Sequence, residues 1–300
     1  MLRRKHPLKK LLFIINPMAG RQQAQTDLYK MVKIFADHDY EVTVYPTRAR
    51  LDCTRKVLED AGRFDLVVCC GGDGTLNEMV SGMMQRQDRR PMGYIPLGST
   101  NDLAVSLRLP TRVEEAALRA VTGNEFHMDV GTLNDRYFNY IAAFGAFTET
   151  SYATPQEIKN ALGHLAYILE GVKSLGKILP IHVKITADDE QFEEDYLFGA
   201  VTNTISLGGV LKLDPEKVLL DDGMYELLLV KNPTNALEAQ AMLTAIMTQN
   251  FDGPLVKMFH ASDITFESSH EISWTIDGEY GGTFSHTHIL NNKNAVTLIV

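Results

Sequence analysis

Cysteine is scarce in this 300-residue chain: there are three, Cys53, Cys69 and Cys70. The count is odd, no C-x-x-C pair occurs, and two of the three are neighbours in an apolar run. They read as reduced, structural thiols of a cytosolic protein rather than as a disulfide framework. Long apolar stretches are missing as well. The run Leu11 to Ile15 is five residues long before Asn16-Pro17 stops it, too short for the core of a signal peptide. Nothing elsewhere approaches the ~18–20 apolar residues of a membrane span. Positive charge is in deficit, with 29 Lys and Arg against 38 Asp and Glu and a net charge of −9. That balance repels a nucleic-acid backbone and speaks against a DNA or RNA partner. The N-terminus departs from it: Arg3, Arg4, Lys5, Lys9 and Lys10 stand together with no acid among them. They read first as a solvated terminus, and second as a foothold on anionic lipid worth about 1 kcal/mol per basic residue.

What is present is ordinary for a soluble globular protein, with 45% hydrophobic and 22% charged residues. The length suggests two domains. Up to about residue 122 short apolar strands alternate with helical stretches. Strands are expected at 11–16, 41–47, 65–71 and 92–98, with helices between them, and the last helix, "VEEAALRAVTG", stops at Gly123. Such alternation implies α/β architecture, a doubly wound parallel sheet with helices on both faces and ligand loops at the carboxyl ends of its strands. After about residue 125 the pattern changes to antiparallel strand–turn–strand units, centred on Asn134-Asp135, "TADDEQ", "LLDDGMYEL" and Asp277-Gly278. The expected division is therefore an N-terminal nucleotide-binding α/β domain, 1–124, and a C-terminal antiparallel β-sandwich domain, 125–289. The segment from about 290 to 300 is a candidate to return to the first domain. Two helices interrupt the second half. One is boxed by Thr154, Pro155 and Glu157, the other by Asn235 and Glu238. The first, over Gly163–Gly176, suits a lipid-facing flap or buried interdomain packing equally.

The stretch "VVCCGGDGTLNEMV" (67–80) sets an aspartate, Asp73, among three glycines at the end of an apolar strand. Backbone N–H groups of Gly72, Gly74 and Thr75 are placed to face an anion, with a helix dipole behind them. The spacing is neither G-x-G-x-x-G nor G-x-x-x-x-G-K-[ST]. A bare carboxylate beside phosphates repels them, whereas a divalent cation between the two reverses the sign. The loop therefore points to a magnesium nucleotide. A plain strand-to-helix turn, with Asp73 capping a helix from Thr75, accounts for these residues as well. "NPMAG" (16–20) and "LGSTND" (97–102) follow the first and fourth strands, where a doubly wound sheet gathers its ligand loops.

Taken together, "NPMAG", "GGDGTLNE", "PLGSTND", "SYATPQEIKNALGHLAYILEGVKSL", "LLDDGMYEL" and "DGEYGG" resemble the soluble bacterial diacylglycerol kinases, of the lipid kinase superfamily that includes sphingosine and ceramide kinases. The resemblance runs over essentially the whole chain. It implies ATP and Mg²⁺ as cofactors and a diacylglycerol-type lipid at the membrane surface as partner. Relatives of this kind are often dimers, so a homodimer is among the partners it implies. It also implies a cytoplasmic enzyme reversibly associated with the membrane surface. By resemblance, Asn16, Pro17, Met18, Ala19 and Gly20 form the first nucleotide loop, and Thr47 is a nucleotide contact. Gly72, Asp73, Gly74, Thr75, Leu76, Asn77 and Glu78 form the phosphate-binding turn, with Asp73 handling the magnesium. Ser99 stands where the family often has threonine, and Arg21 where close relatives carry lysine. Asp222, with the backbone carbonyls of Leu219 and Met224, matches a second, structural magnesium site. Read from the residues alone, Asp-Asp-Gly is more often a hairpin turn. Glu279 matches the general base, which accepts the proton of the lipid hydroxyl as it meets the γ-phosphoryl group.

Three readings stay open. The first is phosphoryl transfer from ATP to diacylglycerol, with another lipid acceptor (phosphatidylglycerol or a sphingoid base) as its variant. The second is NAD kinase, which shares "GGDGT" and a similar two-domain plan. The third is a non-catalytic nucleotide or lipid sensor, which needs neither Asp73 nor Glu279. His286 and His288 share a strand face but have no third ligand in an evident pattern, and read as surface histidines. Trp274 and the aromatic-rich strand 137–147 read as core.

Overall fold

A computed structural model describes residues 7–145, 179–207, 211–213 and 218–300. The basic group at 3–5, the helix expected from Thr154 and the whole Gly163–Gly176 segment lie outside these. The chain divides into two compact units, Met1–Met128 with Asn294–Val300, and Asp129–Lys293.

The first unit is built on parallel strands β1 (Lys9–Ile15), β2 (Tyr40–Pro46), β3 (Leu66–Gly71) and β4 (Met92–Pro96). Their order in the sheet is β2-β1-β3-β4, and the end of the last strand adds beside β4 through Leu298 opposite Met92. The helices are α1 (Gln23–Thr26), α2 (Leu28–Asp37), α3 (Asp52–Asp60), α4 (Asp73–Met84), α5 (Asp102–Ser106) and α6 (Val113–Thr122). Strand side chains alternate between faces, so β1 and β3 are apolar on both. Leu11, Phe13, Val68 and Cys70 pack against Met31 and Phe35 of α2 and Ala116, Ala117 and Ala120 of α6. The alternate residues Leu12, Ile14, Val67 and Cys69 are equally buried, as are Cys53 and Val57 of α3 and Met79, Val80 and Met83 of α4. Each such large side chain contributes about 1.5–3 kcal/mol when fully buried. All three cysteines are buried free thiols. Burial pushes the Cys70 thiol up to about 12 and holds that of Cys69 well above the usual thiol range, so neither forms thiolate near neutral pH.

In the second unit the strands are antiparallel. They comprise β5 (Glu125–Leu133), β6 (Arg136–Phe138), β7 (Ile141–Gly145), β8 (Ile181–Ala187) and β9 (Glu190–Thr202), followed by the short pair β10 (Ser206–Leu207) and β11 (Leu211–Lys212). Then come β12 (Tyr225–Lys231), β13 (Val256–Ala261), β14 (Asp263–Ile276) and β15 (Glu279–Ile299). The order is β13-β12-β9-β7-β14-β15, with β8 also joining β9 to β14. Nearly every strand of this sheet feeds one cluster containing Phe138, Phe144, Val183, Tyr196, Tyr225, Phe266, Trp274 and Ile289, so the sheet must curve around it. Trp274 is the expected core residue, its ring 5.0 Å from Phe144 and 4.9 Å from Phe266.

Three of the expected turns are two-residue hairpins. Leu133 pairs with Arg136, Ala187 with Glu190 and Ile276 with Glu279, and the first turn residue, Asn134, Asp188 or Asp277, has positive φ. The fourth expectation needs correction. No described strand leads directly into Asp-Asp-Gly: Val218 and Leu219 are irregular and the chain turns from Leu220 into β12. The helix Ala236–Thr248 carries the expected cap, Asn235 Oδ1 accepting the Glu238 N–H at 3.0 Å. The returning arm differs, because the Glu238 carboxylate accepts from Thr234 N and Oγ1 at 2.7 and 2.8 Å. His288 pairs with Asp263 at 2.8 Å on the surface, as a solvated histidine would.

Candidate functional site

The strand order of the first unit reverses between β1 and β3, and in open α/β sheets ligands bind at that switch point beyond the carboxyl ends. Three loops meet there around a cavity of about 520 Å³. Asn16, Met18, Ala19 and Gly20 line it from the loop after β1, Gly72 from the loop after β3, and Leu97, Gly98 and Ser99 from the loop after β4. The loops are tied to one another by specific bonds. Asn16 Nδ2 donates to Thr75 Oγ1 at 3.4 Å, its Oδ1 accepts the Met18 N–H at 3.0 Å, and its own N–H reaches Cys70 O. Thr47, just past β2, donates its N–H to Ile15 O at 2.9 Å and so abuts the start of the Asn16 loop. Pro17 O accepts from Gln25, which fastens that loop to α1. The side chain of Arg21 lies outside the described residues.

Glycine is required where the second and third loops touch. A Cβ on Gly98 would stand 2.7 Å from Gly72 Cα and 2.5 Å from Asn101 Oδ1. Two chain segments therefore approach as closely as bare backbone permits, which is the geometry that lets amides converge on a phosphate. The residues fit a triphosphate in this respect.

Asp73 stands in the first turn of α4, one position inside the Gly72 cap, not as the cap of a helix from Thr75. Its Oδ2 accepts the Asn101 N–H at 2.9 Å, so the carboxylate ties the second loop to the third. A carboxylate beside a phosphate cradle is the donor chemistry that Mg²⁺ takes up together with phosphate oxygens, so Asp73 fits that ion. The Thr75 N–H is spent on Gly72 O, which leaves the anion-facing role to the residues before it. Leu76 is core, and Asn77 Oδ1 accepts from Ser81 Oγ at 3.4 Å. Glu78 faces α3: its two carboxylate oxygens accept the N–H groups of Leu51 and Cys53 at 2.7 and 3.1 Å, capping that helix. "GGDGTLNE" thus divides into a loop part, Gly72 to Thr75, and a framework part, Leu76 to Glu78.

Sequence reasoning passed over Asn101. Its backbone is left-handed (φ 54°), its side chain accepts the Gly98 N–H and donates to Gly98 O, both at 2.8 Å, and Tyr94 OH donates to its Oδ1 at 3.2 Å. Burial pushes the Tyr94 phenol upward, so it stays protonated and able to donate. The available signal was an asparagine in "GSTND", a residue type that tolerates left-handed backbone and bonds its own turn.

In the second unit, Glu279 opens β15, exposed, one residue past the Asp277-Gly278 turn. Asp277 is buried, and its carboxylate accepts three consecutive backbone N–H groups, from Asn139 (2.7 Å), Tyr140 (3.0 Å) and Ile141 (3.2 Å). Charge-assisted bonds of this kind are about twice as strong as neutral ones, so the turn that carries Glu279 is anchored from its buried side.

The Asp222 loop is held by hydrogen bonds of its own. Asp222 Oδ1 accepts the Met224 N–H at 2.8 Å, and Met224 O accepts from Asn291 Nδ2 at 3.2 Å. Lys293 Nζ donates to Asp222 O at 3.0 Å, and the wholly buried Asp129 accepts the Gly223 N–H at 2.6 Å. Two of the three donors expected for a cation are thus engaged within the loop, and Leu219 is exposed at its rim. Among the described residues no group of three or more His, Cys, Asp or Glu is arranged to hold a metal.

Comparison with known proteins agrees with this architecture. Residues 10–133 match the diacylglycerol kinase catalytic domain, and residues 147–299 the YegS C-terminal NAD kinase beta sandwich-like domain. A diacylglycerol kinase of Bacillus subtilis (strain 168) is 32% identical over 296 residues, covering 95% of this chain and 97% of that one. One of Staphylococcus saprophyticus is 31% identical, covering 91% and 90%. A crystal structure of a candidate diacylglycerol kinase from Bacillus anthracis str. Sterne superposes with a TM-score of 0.82 at 28% identity, covering 99% and 96%. The match to a diacylglycerol kinase catalytic domain and the relatives named for that activity make the chain a lipid kinase. The chain belongs to the diacylglycerol kinase family.

Proposed function

We propose that the protein transfers the γ-phosphoryl group of ATP to the hydroxyl of diacylglycerol, giving phosphatidic acid, in a magnesium-dependent reaction. The observation that carries this reading is the convergence of three loops on one cavity at the switch point, with Gly72 and Gly98 in backbone contact, in a chain of this family. Asn16 to Gly20, Gly72 to Thr75 and Ser99 bind and orient the nucleotide. Asp73 would hold Mg²⁺ together with the phosphates, and the ion supplies charge neutralisation for the transferring group. Glu279 accepts the proton of the acceptor hydroxyl as its oxygen bonds to phosphorus and ADP leaves. Leu219, Asp222 and Met224 stay a separate proposal, for a structural cation that takes no part in these steps. The acceptor resides in a bilayer, and among the described residues no helix is long and apolar enough to cross one. In this reading the protein works from the cytoplasm and docks reversibly at the membrane surface, as its membrane-resident acceptor requires. The likeness of residues 147–299 to the β domain of NAD kinases keeps NAD as the second reading of the acceptor.

Labelled ATP with Mg²⁺, offered with mixed micelles of diacylglycerol, phosphatidylglycerol or sphingosine, or with soluble NAD, tests this directly. Label in phosphatidic acid is expected; label only in NADP overturns the acceptor assignment. In the same assay Glu279→Gln should lower turnover by ~10²–10⁴ while ATP binding and thermal midpoint stay in place. Near-normal turnover in that variant removes Glu279 from the reaction.

A further inference from the structure

The strand that presents Glu279 is irregular where it starts. Thr275 pairs with Tyr280 but Trp274 pairs with Gly282, so Gly281 is an extra residue, a bulge in β15 directly after the turn. Gly282 has φ +116°, and a Cβ there would stand 2.5 Å from the Phe284 ring, so only glycine serves at that position. Bulges re-aim side chains and interrupt the ladder, and here the interruption falls two residues beyond Glu279. The ladder alone therefore holds the first residues of β15 weakly. Two contacts from one neighbouring segment compensate. On the buried side the Asp277 carboxylate is seated on the amides of residues 139–141. On the other side, Nη1 of the half-buried Arg136 donates to Tyr280 O at 2.9 Å. The carbonyl that Arg136 holds belongs to the peptide at which the bulge begins.

We propose that Arg136 is a positioning residue for Glu279, its guanidinium and the Asp277 carboxylate together bracketing the turn so that the Glu279 carboxylate is aimed before substrate arrives. This rests on Glu279 being the general base. The planar guanidinium fixes direction as well as distance, which a single ammonium on a flexible stem does less well. Misplacing a reacting group by about 1 Å costs up to ~10²-fold in rate. Asp277 supplies depth and Arg136 supplies lateral registration, because the first bonds from within the turn and the second just after it.

The test is a double-mutant cycle on the full-length protein. Arg136→Ala should lower kcat about 10- to 100-fold with the KM for ATP and the thermal midpoint nearly unchanged, and Arg136→Lys should recover part of the loss. In the Glu279→Gln background Arg136→Ala should cause no further loss, since a residue that acts through the carboxylate has nothing left to position. Wild-type kcat in Arg136→Ala, or a loss that adds in full to that of Glu279→Gln, overturns the inference while leaving the base assignment standing. Full turnover in Glu279→Gln alone overturns both.

Discussion

The loops of the first unit and the turn of the second hold their candidate functional residues by opposite means. Around the 520 Å³ cavity the work falls to backbone: glycines in van der Waals contact, an asparagine in left-handed conformation, and a carboxylate bonded to an amide of the next loop. These contacts join loops that the order of the parallel strands brings side by side. Glu279 instead depends on side-chain bonds over long sequence separation, from Asp277 to the amides of 139–141 and from Arg136 to Tyr280. A site that gathers phosphate oxygens needs many weak donors at close approach, and glycine provides that. A site that moves one proton needs one carboxylate in one place, and only a satisfied framework provides that.

Substitutions can break the contrast at either end. The largest effect on stability is expected for Asp277→Asn. It keeps a residue tolerant of φ 47° but removes the charge and turns amide hydrogens toward three buried N–H donors. Unfolding by urea should show a loss of roughly 2–4 kcal/mol, with turnover falling alongside. Gly98→Ala should weaken function more than it weakens the fold. Its Cβ would intrude between Gly72 and Asn101, and calorimetry should show ATP affinity down by about tenfold, equivalent to ~1.4 kcal/mol. A stability loss at Gly98 equal to that at Asp277 would erase the distinction.

A pH effect is expected in the second unit. Burial pushes the Glu226 carboxyl up to about 8, and Oε1 of Glu226 lies 3.8 Å from His260 Nε2. The folded protein therefore keeps a proton that the unfolded chain has lost, so stability falls as pH rises from the ordinary carboxylate range, near 4.5, towards 8. Thermal midpoints measured at pH 6 and pH 8 should differ in that sense, and Glu226→Gln should flatten the difference. The smallest effect is that of Asn235→Ala, about 1 kcal/mol for a lost helix cap, read from chemical unfolding.

Much of this was legible beforehand because it is local. Short apolar strands between helices marked the parallel sheet, Asn-Asp and Asp-Gly marked hairpins, and the glycine loops announced themselves by composition. Other residues were invisible for an equally physical reason. Glu78 stands inside a nucleotide-like motif, yet it caps a helix that precedes it by 25 or more residues, a bond no spacing rule reports. Asn101 was hidden because its importance lies in joining Asp73, Tyr94 and Gly98, each from a different element. Arg136 in "NDRYF" looks like any solvated arginine until β15 is laid beside it.

Residue order was enough to settle which stretches extend, which coil and where the chain must bend, since periodicity, caps and glycine act within a few bonds. It also sufficed to bring Asp73 under suspicion, because a charge among glycines is odd wherever it occurs. Folding alone decided which carboxylates became structural and which stayed exposed: Asp277 and Glu78 are consumed by backbone amides far away in the chain, while Glu279 stands at the rim. The partners that make that choice meet only when distant strands and helices close on a common core, and pairings of that kind are set by three-dimensional packing rather than by neighbours in the chain.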